Sequence, residues 1–255
     1  MACVTGLEAL AVMAAGMGAG AVNAIAGSGS LITFPTLLAV GFPRVTANVS
    51  NNIGLVPGSI SGAYAYKDEL RGQGRRARRV AIGSALGSVT GATLLLTLPS
   101  KGFDNVVPVL VIGAALLMLV QPWVSARVTA ARARSGRQQS ELVAAVVCFV
   151  AGIYGGYFGA AQGIILLATL GVLLPDELAR TNALKNVLAL TVNAVAAVIF
   201  LFSRHVNWEV VALIAAGSVV GARLGASVGK RVPVPVLRGF IVVLGLSVGI
   251  KLLLS

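Results

Sequence analysis

Acidic residues are scarce in this 255-residue chain: eight Asp and Glu stand against twenty Lys and Arg, and charged residues of both signs make up only 11%. Glu8, Asp68, Glu69, Asp104, Glu141, Asp176, Glu177 and Glu209 fall between or at the ends of apolar stretches, so no carboxylate relay of the kind that couples many transporters to protons is visible. The single histidine, His205, sits beside Arg204 and Trp208, where an interfacial place is expected. One imidazole cannot furnish a ligand set, so no metal site is expected. Cys3 and Cys148 lie far apart and form no motif. Walker, Rossmann and nucleophile-elbow patterns are missing too, so the reading is of a protein without cofactor or catalytic set, and not of an enzyme. Aromatics at 5% and the lack of long alternating strands argue against an outer-membrane barrel.

What is present is apolar side chain: 57% of residues, with a mean hydropathy of +0.91. A soluble domain of this length does not need so much to fill one core. With 31 glycines the composition is that of a packed helical bundle in a bilayer, and a disulfide-held or nucleic-acid-binding globule is excluded. The net charge of +12 is concentrated in two places, Lys67, Arg71, Arg75, Arg76, Arg78 and Arg79, then Arg127, Arg132, Arg134 and Arg137. Both read as cytoplasmic loops, 67–79 and 125–140, placed by the positive-inside rule and not by nucleic acid. The N-terminus lacks a basic segment and Glu8 interrupts its first apolar stretch, so no cleaved signal peptide is expected.

Apolar runs long enough to cross a bilayer lie near 45–66, 80–99, 105–124, 181–203, 208–229 and 235–254. Two further stretches, 7–41 and 142–174, suit two shorter pieces each, broken at Ala26-Gly27-Ser28-Gly29-Ser30 and at Gly159-Ala160-Ala161-Gln162-Gly163. A constant offset of 134 residues lays Gly18 on Gly152, Gly29 on Gly163, Asn48 on Asn182, Asn52 on Asn186, Gly83, Gly87 and Gly91 on Gly217, Gly221 and Gly225, and Pro99 on Pro233. An ungapped register of this length points to duplication. The expected architecture is an all-α polytopic membrane protein, a single transmembrane domain over 1–255. Repeat 1 covers about 7–124, a basic cytoplasmic linker 125–140, and repeat 2 about 141–255; each repeat has a broken or re-entrant helix pair plus three spans. Hydropathy does not fix how often the broken pairs cross. The distribution of positive charge favours inverted repeats.

The span after each break carries polar residues at helical spacing: Asn48, Asn51, Asn52 and Ser59 in one, Asn182, Lys185, Asn186 and Asn193 in the other. Amides and an ammonium are costly against lipid, so both stripes should face inward, as interhelical glue or as the lining of a polar cavity. Lys185 stands about one turn inside its span, from where snorkelling to the interface is the competing reading. A helix restarting inside the membrane points free N–H groups and its positive dipole end inward. Together with Lys185, Ser28, Gln162 and Asn23, these donors favour a small anion over a cation. The ladders Gly83/Gly87/Gly91 and Gly217/Gly221/Gly225/Gly229 offer bare strips for close helix packing, within a protomer or between protomers of a homo-oligomer.

The run from Gly27 to Leu38, then Gly41 and Thr46-Ala47-Asn48-Val49-Ser50-Asn51-Asn52, closely resembles the TauE/SafE sulfite exporter family, also called the four-toluene-sulfonate uptake permease family. The second-half run from Tyr157 to Gly163, followed by Asn182-Ala183-Leu184-Lys185-Asn186, is similar to one branch of it. The resemblance implies a bacterial inner-membrane permease for sulfite, sulfoacetate or related sulfur-containing anions. The sequence departs from the usual pattern at Ser28, Ser30, Ala160, Ala161 and Gln162. The expected machinery is an alternating-access carrier in which Lys185 supplies charge and Asn48, Asn51, Asn52, Asn182, Asn186, Ser28 and Gln162 donate hydrogen bonds. Gly27, Gly29, Gly159 and Gly163 permit the breaks. Its partners are a small anion and the lipid bilayer, with proton or ion coupling left open and no nucleic acid. The rivals are a passive anion or small-solute channel and a non-transporting membrane scaffold.

Overall fold

The computed structural model describes residues 5–25, 27–134, 141–174, 176–228 and 234–254. Cys3, Ala26, Arg137, Gly229 and Pro233, each used in the sequence reading, lie outside them. Among the described residues the chain is all helical: α1 Gly6–Ile25, α2 Ser30–Ala39, α3 Arg44–Ala65, a 3-10 turn Asp68–Leu70, α4 Gly74–Thr97, α5 Ser100–Arg134, α6 Glu141–Tyr157, α7 Gln162–Leu173, α8 Leu178–Phe200, α9 Trp208–Val228 and α10 Val234–Leu254.

Five stretches are long and apolar enough to cross a membrane: Gly6–Ile25, Gly74–Thr97, Ser100–Val124, Ala179–Phe200 and Trp208–Gly225. Their outward faces carry Ile82, Leu86, Val109, Leu116, Val198 and Val220 in the open, as lipid-facing helices require. The protein is an integral membrane protein. Helix α3 has the length of a span, 22 residues, but its buried polar stripe dilutes its hydropathy.

The breaks fall where glycine predicted, with α2 restarting at Ser30 and α7 at Gln162. Two expectations need correction. The first piece of the 7–41 stretch is no shorter than a span, because α1 alone has 20 residues, so the stretch is a full-length helix followed by a 10-residue one. The basic linker expected over 125–140 is helical up to Arg134, as a continuation of α5, since Ala and Arg are strong helix formers and nothing there stops the helix. Likewise Arg75, Arg76, Arg78 and Arg79 lie in the first turns of α4 and not in a loop.

Helix pairing follows one rule. Every prominent contact has a counterpart when α1, α2, α3, α4 and α5 are exchanged for α6, α7, α8, α9 and α10: α1 with α9 matches α6 with α4, and α3 with α9 matches α8 with α4. Helices α3 and α8 pack on each other, as do α5 and α10. The glycine ladders make the tightest of these contacts, within the chain. Gly83, Gly87 and Gly91 of α4 abut the backbone of Ala145, Phe149 and Ile153 of α6; Gly217, Gly221 and Gly225 of α9 abut Met13, Met17 and Ala21 of α1. In both pairs the residue numbers climb together, so the paired helices run parallel. Each half therefore clasps the first helix of the other, through strips a side chain would block.

Candidate functional site

The two breaks meet. Gly27 and Gly163 touch backbone to backbone, so that a Cβ on either would overlap the Cα of the other. The Gly163 N–H donates to the Gly27 carbonyl at 2.9 Å. Left-handed backbone makes the turns: Gly27 at φ 74° in the first, Gly159 at 77° and Ala161 at 59° in the second. The donor at Gly163, expected to be free for a ligand, is thus taken by the opposite break.

Above and below this crossing, each polar stripe reaches into the other half. Lys185 Nζ lies 3.3 Å from the carbonyl of Asn23, and Asn186 Nδ2 donates to the carbonyl of Ala24 at 3.4 Å, both in the last turn of α1. Asn48 Nδ2 donates to the carbonyl of Tyr157, the last residue of α6, at 2.9 Å. Asn23 and Tyr157 correspond under the offset of 134. A helix end leaves carbonyls without intrahelical partners and carries the negative end of the dipole. Amides and an ammonium are suited to that place, and the stripes supply them.

Between the stripes runs a chain of side-chain contacts. Asn52 Nδ2 approaches Asn193 Oδ1 at 3.4 Å, Asn193 Nδ2 donates to Ser59 Oγ at 3.2 Å, and Asn23 Nδ2 reaches the same hydroxyl at 3.5 Å. Ser59 and Asn193 are themselves equivalent by the offset, so the two halves touch at like positions. Beside them Asn23, Ala24, Ser59 and Asn186 line a cavity of about 10 Å³, room for one water at most. The seam is closed.

Not every expected donor joins it. Asn51 accepts a hydrogen bond from Thr33 Oγ1 of α2. Ser28 Oγ lies 3.3 Å from Met118 Sδ of α5. Asn182 sits near the start of α8 within reach of Tyr66, and Gln162 lies against Gly155. Buried and without a hydrogen-bond partner are Asn52 Oδ1, Asn182 Oδ1 and Gln162 Nε2. Lys185 does not snorkel: it is 0% exposed, and among the described residues no carboxylate pairs with it. Arg44 pairs with Asp104, Arg71 with Asp68, and Arg76 and Arg180 with Asp176, all away from the seam. Among the described residues no cluster of His, Cys, Asp and Glu suits a metal ion.

Sequence reasoning missed the backbone acceptors at Asn23, Ala24 and Tyr157. The offset pairs Asn23 with Tyr157 and Ser59 with Asn193, but no side-chain pattern marks a main-chain carbonyl as an acceptor.

The profile of the sulfite exporter TauE/SafE family matches residues 12–252. A probable membrane transporter protein of Haemophilus influenzae is 27% identical over 97% of this chain and 95% of its own length. The probable membrane transporter protein YfcA of Escherichia coli is 27% identical over 92% of this chain and 86% of its own. The probable membrane transporter protein ORF9 of a Sinorhizobium species is 26% identical over 92% and 88%. No solved structure matches.

Proposed function

Because the chain belongs to the TauE/SafE sulfite exporter family, we propose that it is a membrane transporter that carries a small sulfur oxyanion, such as sulfite, sulfoacetate or a related organosulfonate, across the bacterial inner membrane. The observation that carries the anion is Lys185. A fully buried ammonium with one backbone carbonyl as its acceptor is uncompensated, and such burial costs several kcal/mol unless a counter-charge arrives. An oxyanion supplies it. Asn186 and Asn52 stand beside Lys185 and Asn193 on the same seam, with amide hydrogens to offer once they release the carbonyls they now hold. Asn48, Asn51, Asn182 and Ser28 are an outer set, each held by a nearby group, and Gln162, with its Nε2 unpaired, belongs with them.

The same contacts support alternating access. In this reading the two halves are inverted repeats, each clasping the other's first helix, and rock about the crossing of Gly27 and Gly163. An anion that takes Lys185 and Asn186 from the end of α1 loosens one half from the other. The shut seam suits a carrier more than an open channel. It suits a scaffold less, because an unpaired buried polar atom costs about 1–3 kcal/mol, and a purely structural seam has no use for the unpaired Asn52 Oδ1 and a lone charge.

The test is flux of labelled sulfite in proteoliposomes, with sulfoacetate and thiosulfate as competitors and preloaded sulfite for counterflow. Saturable, competed flux with counterflow supports the carrier. Linear flux without counterflow would make it a channel, and no flux of any of these anions by folded protein would leave the anion reading without a substrate.

A further inference from the structure

A second recess, of about 530 Å³, opens where the first turns of α3 and α5 meet the last turns of α2 and α10. Its polar lining is Arg44, Ser100, Asp104 and His205, with Phe42 among the apolar residues. Its size is that of a small-ligand pocket. It lies at the opposite end of α3 from the basic turn at Lys67, a helix length of about 33 Å away.

Its charge favours an anion. Two long helices, α3 and α5, present their N-terminal dipole ends to it, and Arg44 adds a guanidinium. Asp104 is the one carboxylate in the lining, and its hold on Arg44 is loose: Arg44 Nε stands 3.9 Å from Asp104 Oδ1, with side chains 23% and 43% exposed. A pair so placed is worth between nothing and about 1 kcal/mol, so an oxyanion gripped by Nε and Nη2 of the guanidinium displaces it readily. Nη1 of Arg44 also donates to the Asp104 main-chain carbonyl, which holds the guanidinium at the recess whichever anion it meets.

Behind the recess stands an aromatic stack. Phe103, next to Asp104, packs edge-on against Tyr157 with centroids 5.6 Å apart and against Phe158 at 6.3 Å; Phe158 packs on Phe34 at 5.2 Å. Tyr157 is the residue whose carbonyl Asn48 holds, and Asn48 follows Arg44 by one helical turn. The recess and the seam are thus one turn of α3 and one layer of aromatic rings apart.

We propose that this recess is a second anion site, a vestibule in which Arg44 takes up a small sulfonate or sulfate-like oxyanion before it passes the Phe103–Tyr157–Phe158 stack to the seam. Its place on the transport path rests on the carrier reading above; its affinity for an anion does not. Arg44 is the binding group, Asp104 its internal competitor, and the aromatic stack the barrier between the two sites.

The test labels Ser100→Cys, in a Cys3→Ser, Cys148→Ala background, with an impermeant maleimide, using methanesulfonate as the probe anion because it does not react with the label. In vesicles of neutral lipid, methanesulfonate is expected to slow labelling several-fold. Adding Arg44→Gln should remove that protection, and adding Asp104→Asn should lower the concentration needed for it. Lys185→Gln should leave protection as it is, so the vestibule and the seam are read separately. Labelling indifferent to methanesulfonate overturns the proposal, as does equal protection with Arg44→Gln or weaker protection with Asp104→Asn. Full protection in anionic phospholipid vesicles without added sulfonate would assign the site to a lipid headgroup and overturn its role as a vestibule.

Discussion

The two breaks occupy places that correspond under the offset of 134 residues, yet they are built from different residues. In the first, Gly27 takes left-handed backbone, and it is pressed against Gly163. In the second, Gly159 and Ala161 both take left-handed backbone, and Ala161, the counterpart of Gly27, carries a side chain in that conformation. At this position close approach of another backbone, and not the turn, is therefore what demands glycine. The stripes differ in the same way. Asn51 and Lys185 correspond, but Asn51 is occupied by Thr33 of its own half while Lys185 is fully buried against the opposite half. One half keeps the neutral member, the other the charge.

The largest way to break this comparison is Gly163→Ala. With a Cβ forced into Gly27, we expect a loss of about 3 kcal/mol or failure to fold, read as the melting temperature in detergent. Ala161→Gly goes the other way, relieving a left-handed alanine, with a gain of up to about 1 kcal/mol. If both substitutions cost the same, the breaks are alike and the crossing is not a special contact.

Next in size is an exchange of the stripes, Asn51→Lys with Lys185→Asn. Chemically equivalent halves would transport sulfite as well after the exchange. The account expects flux to stay at background, because a lysine at 51 finds Thr33 and no helix-end carbonyl.

Smaller still are Asn48→Ala and Asn186→Ala. Each frees one carbonyl at the end of a broken helix, at a cost of about 1 kcal/mol in thermal unfolding. The two differ in function: Asn186→Ala should raise the KM for sulfite about tenfold, a change of about 1.4 kcal/mol, while Asn48→Ala, remote from the charge, should leave it within about twofold. Equal KM effects would remove the distinction between the stripes.

Much of this arrangement was legible in the chain. The offset of 134 predicted which helices correspond, and glycine placed both breaks within a residue or two. The polar stripes were found by spacing: Asn48, Asn51, Asn52, Ser59, Lys185 and Asn186 are buried, while Asn182 and Asn193 are half-buried. What stayed hidden has a common physical cause: backbone atoms carry no sequence signature. That Lys185, Asn186 and Asn48 would hold carbonyls of the opposite half, or that Gly163 N–H would be claimed by Gly27, follows from how the halves cross and not from any side-chain pattern. The helical course of α5 through its basic end was missed because charge was read as loop, whereas Ala and Arg are strong helix formers in water.

The most direct test is sulfite flux by Lys185→Gln, measured on the same preparation as its melting temperature. The account predicts a melting temperature no lower than that of the native chain, since a buried charge without a partner is removed, together with loss of saturable sulfite flux. Saturable flux at the native rate from folded Lys185→Gln would show that the charge in the seam does not serve the anion, and the central claim would fall.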